Sequence, residues 1–95
     1  MSIQLVVIAG PDRGRTFTLD PGAGLMLGRA AQAHYSLSDP HTCRNHCQIL
    51  LVGNQVTVIC NGGAATTLVN GQRVKQHTLQ PGDILEVGMS QLRLA

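Results

Sequence analysis

The clearest indication of the fold of this chain is the segment Cys47-Gln-Ile-Leu-Leu-Val-Gly-Asn-Gln-Val-Thr-Val-Ile-Cys60. Two apolar runs, 47–52 and 55–60, flank the pair Gly53-Asn54. A two-residue connection containing glycine and asparagine supplies the positive φ that the tight turn of a β-hairpin needs. The stretch therefore predicts two antiparallel neighbouring strands joined by a primed turn.

The rest of the chain repeats this pattern of short apolar runs and turn residues. Turn signals such as Asp20-Pro21-Gly22, Asn70-Gly71 and Pro81-Gly82-Asp83 separate the runs. No segment of ten or more residues has apolar residues spaced three and four apart, so no stable helix is expected. The sequence predicts an all-β sandwich whose functional residues lie in loops. The further predicted strands are Ile3 to Ala9, Arg15 to Leu19, Leu25 to Leu27, Thr67 to Val69, Ile84 to Val87 and Gln91 to Leu94.

Length and composition exclude several classes of protein. The 95 residues suffice for one small domain, which we expect to span residues 1–95. One Phe, one Tyr and no Trp cannot build the stacking surface of a single-stranded nucleic-acid binder. The formal net charge of +2 is too small for a basic stripe along nucleic acid, but it suits one small anionic ligand.

Two further features bear on where the chain is found. The longest apolar run, Leu5 to Ala9, is far shorter than a membrane-spanning helix, and residues 1–4 lack the features of a secretory signal. The three cysteines form no disulfide-scaffold pattern. We therefore expect a cytoplasmic domain with free thiols and no membrane association.

An ordered set of motifs gives the chain a family resemblance. Gly28-Arg29 follows a predicted strand, Asp39 precedes Cys43-Arg44-Asn45-His46-Cys47, and Asn70-Gly71 follows later. In this order the motifs resemble the forkhead-associated (FHA) domain, and the likeness covers nearly the whole chain. The opening segment Gly10-Pro-Asp-Arg-Gly14 and the late segment Leu79-Gln-Pro-Gly-Asp-Ile-Leu85 extend it.

The resemblance implies an FHA-like sandwich of two antiparallel or mixed sheets with about eleven short strands. It further implies a binding module for phosphothreonine peptides in phospho-signalling, part of a longer signalling protein and monomeric as an isolated domain. Arg29 matches the family arginine that reaches the phosphate, and Arg44 matches a basic position beside it. His46 matches the histidine that braces the binding loop, whereas Gly28, Asn70 and Gly71 match structural positions.

The chain departs from the family pattern at the phosphate site. Cys43 stands where the family has a serine that donates to the phosphate, and a thiol is a poorer donor. In the next loop Ala64, Ala65 and Thr66 occupy the peptide-lining positions, and Ala65 replaces an asparagine. An alternative therefore stays open, in which a degenerate FHA domain binds proteins without phosphate or associates with itself.

Two chemical readings of the cysteines and histidines are weaker. His41, Cys43, His46 and Cys47 are zinc-ligand types, but their spacing differs from that of structural zinc sites. A Cys43–His46 nucleophile pair lacks a third group to orient the imidazole. We expect no metal, no cofactor and no catalysis, with Cys47 and Cys60 as small core residues on neighbouring strands.

Overall fold

The computed structural model describes residues 3–19, 21–43, 46–60 and 67–95, with residues 22–24 described by their backbone alone. Every regular element in this part of the chain is a β-strand. In chain order the strands are β1 (Gln4–Ala9), β2 (Thr16–Thr18), β3 (Gly22–Gly28), β4 (Tyr35–Ser36), β5 (Cys47–Val52), β6 (Gln55–Ile59), β7 (Thr67–Val69), β8 (Gln72–Arg73), β9 (Gln76–Leu79), β10 (Ile84–Val87) and β11 (Ser90–Leu94).

The strands form two sheets packed face to face. One sheet has the order β2-β1-β11-β10-β7-β8 and the other has the order β4-β3-β5-β6-β9. Described neighbours pair antiparallel except β3 and β4, which run parallel, so the second sheet is mixed. The predicted all-β sandwich of two antiparallel or mixed sheets is confirmed.

The core lies between the sheets and follows from alternation along each strand. In β5, Cys47, Ile49 and Leu51 are buried while the residues between them are more exposed, and in β6 Val56 and Val58 are buried. Because successive side chains of a strand point to opposite faces, this alternation turns one face of each strand inward. Each fully buried Val, Ile or Leu stabilises the fold by roughly 2 kcal/mol.

Two hairpin turns have the predicted chemistry. Gly53 has a φ of 61°, and Val52 pairs with Gln55, so the hairpin of β5 and β6 closes through a turn with positive φ at its first central residue. Asn70 and Gly71 both have positive φ, 52° and 84°, and connect β7 to β8. That pattern is the type I′ turn, for which Asn-Gly is preferred.

Three strands carry no apolar run in the sequence. β4 and β8 have two residues each, and both residues of β8 are exposed. β9 carries the polar residues Gln76, His77 and Thr78 and buries only Leu79, because it is an edge strand that pairs with β6 alone. β3 also begins three residues earlier than predicted, at Gly22, where a Gly-Ala-Gly sequence has no β propensity. Tertiary pairing, not local pattern, makes these segments strands.

Strand register brings distant segments to one end of the sandwich. Leu27 near the end of β3 pairs with Cys47 at the start of β5, and Val87 at the end of β10 pairs with Thr67 at the start of β7. Residues 29–34, 37–43 and the β10–β11 turn at 88–89 therefore lie together, and we call this region the loop end. Among the described residues, no helix has the length and apolar character needed to cross a membrane.

Candidate functional site

Arg29 is an exposed cation of the loop end. It directly follows β3, and its backbone N–H donates to the carbonyl of Cys43 at 2.9 Å. Its side-chain Nε donates to the carbonyl of Thr42 at 3.1 Å. The guanidinium is thus held against the 42–43 backbone by one edge. Neither of the two ion pairs found among the described residues involves Arg29.

Cys43 is exposed next to Arg29, and His46 fixes its backbone. The Cys43 N–H donates to His46 Nδ1 at 3.0 Å, and the His46 N–H donates to the carbonyl of Leu27 at 3.0 Å. His46 is fully buried, and its Nε2 lies 2.7 Å from Thr67 Oγ1. The histidine closes the loop from inside through the backbone of Cys43, so this contact gives no thiol–imidazole pair.

Asp39 is a buried carboxylate that ties this loop to the β10–β11 turn. Its Oδ1 accepts the N–H of His41 at 2.8 Å, while its Oδ2 accepts the Met89 N–H at 2.7 Å and the Ser90 hydroxyl at 2.8 Å. Burial alone would raise the pKa of Asp39, but hydrogen bonds from His41, Ser90 and Met89 outweigh it and lower that pKa. The carboxylate therefore stays ionised and holds both segments.

Thr42 and Gly88 mark where the two segments touch. Thr42 is buried, and its hydroxyl donates to the carbonyl of Val87 at 3.4 Å. Gly88 has a φ of 58°, and a Cβ there would lie 2.8 Å from the backbone of His41 and Thr42. The carbonyl that fixes Arg29 thus belongs to a residue packed against a glycine turn.

The remaining predicted residues lie at three different places. Gly28 is buried at the end of β3, and its carbonyl accepts the Leu37 N–H at 2.8 Å. Asn70 and Gly71 lie at the far end of β7, where the Asn70 side chain accepts the Ile84 N–H and donates to Asp83. The structure brings Gly28, Arg29, Cys43 and His46 together, but not Asn70 and Gly71. Arg44, Ala64, Ala65 and Thr66 lie outside the described residues.

Sequence reasoning missed the residues that position the loop. Asp39 was a motif residue without a role, and neither Thr42, Thr67 nor Gly88 was a candidate. Only Gly88, a glycine between two predicted strands, carried a usable signal, because such a glycine often marks a turn with positive φ. In the described part of the chain no three His, Cys, Asp or Glu side chains converge as a metal site would require.

A partly apolar cleft of about 810 Å³ lies at the opposite end of the sandwich. It is lined by the β5–β6 hairpin, the end of β9 and the segment Leu94-Ala95, with Val52 69% exposed at its rim. The cleft includes none of the predicted site residues.

Comparisons with known proteins agree with this geometry. The family model of the FHA domain matches residues 25–88, which include Arg29, Cys43 and His46. The chain matches no curated protein by sequence.

Three solved FHA domains superpose on nearly the whole chain, each with 28% sequence identity and a TM-score of 0.88. The first comes from a structural and functional analysis of phosphothreonine-dependent FHA domain interactions, and the match covers 99% of this chain and 95% of that one. The second is the FhaA FHA domain in complex with the intracellular domain of Rv3910, with 99% and 100% covered. The third is the FHA domain of CT664 from Chlamydia trachomatis, with 100% and 97% covered.

Proposed function

The chain belongs to the FHA domain family, and on that premise we propose that its loop end binds phosphothreonine-containing segments of partner proteins. The observation that carries the proposal is the exposed Arg29 guanidinium, held by one edge on the Thr42 carbonyl beside exposed Cys43. The proposal assigns the domain a binding role in phospho-signalling.

Arg29 supplies the charge that a phosphate needs. A guanidinium offers a planar fork of N–H donors that can satisfy two phosphate oxygens at once. Because Nε is already used by Thr42, the terminal nitrogens keep a fixed direction, and less side-chain entropy is lost when the anion binds. Arg29 is thus oriented before the ligand arrives.

Cys43 and the neighbouring loops complete the proposed site. Cys43 occupies the family's serine position, and its backbone is fixed by Arg29 on one side and His46 on the other. We assign Arg44 to the phosphate as a second cation and Ala64, Ala65 and Thr66 to the peptide backbone, following the family pattern. The family's serine and asparagine donors are absent from this chain. Because each charge-assisted hydrogen bond contributes about 1.5–3 kcal/mol, we expect this chain to bind phosphopeptides more weakly than FHA domains that keep both donors.

The partner class is supported by solved relatives. One relative comes from a study of phosphothreonine-dependent FHA domain interactions, and another is the FhaA domain bound to the intracellular domain of a partner. The match covers at least 95% of the length of each. They share the arrangement of strands that places loops at one end of the sandwich. Arg29 of this chain lies at that end and is exposed, so a segment of a partner protein can reach it.

An NMR titration tests the proposal. The labelled chain is titrated with a degenerate phosphothreonine peptide library and with the same library unphosphorylated. Saturable shifts at Arg29, Thr42 and Cys43 with the phosphorylated library alone are expected. Arg29→Ala should weaken binding at least about tenfold, which corresponds to one charge-assisted contact.

The matched control is Arg93→Ala, because Arg93 is an exposed arginine of β11 outside the loop end. This variant should bind like the wild type, and both variants should keep their NMR dispersion. Equal responses to the two libraries, or no response at millimolar peptide, would refute phosphate recognition. Such a result would favour the degenerate domain that binds proteins without phosphate.

A further inference from the structure

Cys47 and Cys60 form a close pair of thiols in the core. Their Sγ atoms lie 3.1 Å apart, about 1 Å longer than a disulfide bond. Both cysteines are buried and neither is in a disulfide, whereas the third cysteine, Cys43, is exposed at the loop end. Two thiols this close need only a small movement to become bonded.

Strand register explains why the two sulfurs meet. Gln48 pairs with Ile59, so one further step along the antiparallel register sets Cys47 opposite Cys60. The Cys60 N–H donates away from β5, to the carbonyl of Lys75 at 2.7 Å. The two cysteines thus form a non-hydrogen-bonded cross-strand pair, for which the Cα atoms are about 4.5 Å apart, within the range that disulfides span.

We propose that Cys47 and Cys60 are a peroxide-reactive dithiol site that forms a cross-strand disulfide. The site lies beneath the loop end, since Cys47 directly follows His46 and its Sγ lies 3.9 Å from Thr67 Oγ1. The inference stands on the geometry of the two thiols and does not depend on phosphothreonine binding.

Cys60 is the attacking thiol. It is 5% exposed against 1% for Cys47, which gives a small oxidant its better approach at Cys60. Hydrogen-bond donation from Cys47 lowers the pKa of Cys60 and favours its thiolate. The same pairing, together with burial, raises the pKa of Cys47 and keeps it as the protonated donor.

The chemistry balances with hydrogen peroxide as the oxidant. The Cys60 thiolate attacks one peroxide oxygen, the O–O bond breaks, and the departing hydroxide takes a proton to become water. This leaves Cys60 as a sulfenic acid. The sulfur of Cys47 then attacks that of Cys60, the S–O bond breaks, and the leaving hydroxide takes the Cys47 proton. In sum, the two thiols lose two electrons and two protons, and one peroxide becomes two waters.

Tryptic mapping tests the proposal directly. Cleavage after Arg44 and Arg73 places Cys47 and Cys60 in one peptide, 45–73, while Cys43 falls in peptide 30–44. The folded, reduced chain is treated with hydrogen peroxide, alkylated under denaturing conditions and digested. Peptide 45–73 should lose both alkylation sites together and weigh two hydrogens less, and dithiothreitol should restore both sites.

Variants identify the attacking thiol and exclude the third cysteine. Cys43→Ala should leave the linkage unchanged. With Cys47→Ser, dimedone should trap a sulfenic acid on Cys60, whereas with Cys60→Ser, Cys47 should remain reduced. In the wild-type protein, the ¹³Cβ chemical shifts of Cys47 and Cys60 should move to values typical of disulfides. This measurement does not depend on whether any variant folds.

The proposal is overturned if peptide 45–73 stays doubly alkylated at peroxide doses that oxidise Cys43. It is equally overturned if the linkage found runs from Cys43.

Discussion

His46 and Thr67 bridge the two sheets at the loop end, with His46 Nε2 2.7 Å from Thr67 Oγ1. Because Nδ1 accepts the Cys43 N–H, the neutral ring carries its proton on Nε2 and donates it to Thr67. Thr67 begins β7 of one sheet and His46 precedes β5 of the other. One imidazole therefore ties the segment 37–43 to both sheets.

His46→Ala should lower the free energy of unfolding by about 3 kcal/mol. The change leaves a cavity in the core. It also removes the acceptor of the Cys43 N–H and the donor to the Thr67 hydroxyl. Urea denaturation of His46→Ala and of His77→Ala, whose side chain is 41% exposed, measures the difference. We expect about 0.5 kcal/mol for His77→Ala, and equal losses for the two variants would contradict the bridging role of His46.

Gly88→Ala should cost at least about 2 kcal/mol of stability. A Cβ at this position meets the His41 and Thr42 backbone at 2.8 Å, in addition to the strain of a positive φ. Gly53→Ala is the matched control, because its φ of 61° is nearly the same as the 58° of Gly88 but nothing lies within 4 Å. Its cost should be about 1 kcal/mol by thermal denaturation. If both variants lose the same stability, the contact with Thr42 does not matter.

Asp39→Asn should lower stability at pH 7 by about 2 kcal/mol, because an amide cannot replace both carboxylate oxygens as acceptors. The pKa of Asp39 is below its ordinary value of 3.8 in the folded state. Its ionised form therefore stabilises the fold above about pH 4, and this contribution disappears as pH falls through the folded pKa.

Denaturant unfolding of wild type and Asp39→Asn from pH 7 to pH 3 checks this dependence. The difference in free energy of unfolding between the two proteins should become smaller below about pH 4. Asp83, whose pKa is also lowered, is present in both proteins, so its contribution largely cancels. A gap that stays constant over the whole range would show that Asp39 is not the titrating group.

Cys43→Ser should raise the affinity for a phosphothreonine peptide about tenfold, since a hydroxyl donates to phosphate better than a thiol. Cys43→Ala adds no donor and should bind nearly as weakly as the wild type. Calorimetry with phosphorylated and unphosphorylated forms of one peptide measures both variants. If serine and alanine give the same affinity, position 43 does not contact the phosphate.

The hairpin 47–60 and the Asn70-Gly71 turn were predictable because their information is local. Alternating burial needs a period of two, and a type I′ turn needs residues that accept positive φ. The short strands β4, β8 and β9 were not predictable from apolar runs. Their residues are polar or few, and they are strands because neighbouring strands hydrogen-bond to them.

At the loop end, three chemical groups can be read from the sequence: an arginine after β3, a cysteine in the family's serine position, and a histidine before β5. How these groups are arranged relative to one another depends on the packing of the two sheets. Asp39 contacts Ser90 across 51 positions of the chain, and the arginine side chain is aimed by the Thr42 carbonyl. Such contacts leave no local pattern, because only the packing of two sheets brings these segments within hydrogen-bond distance.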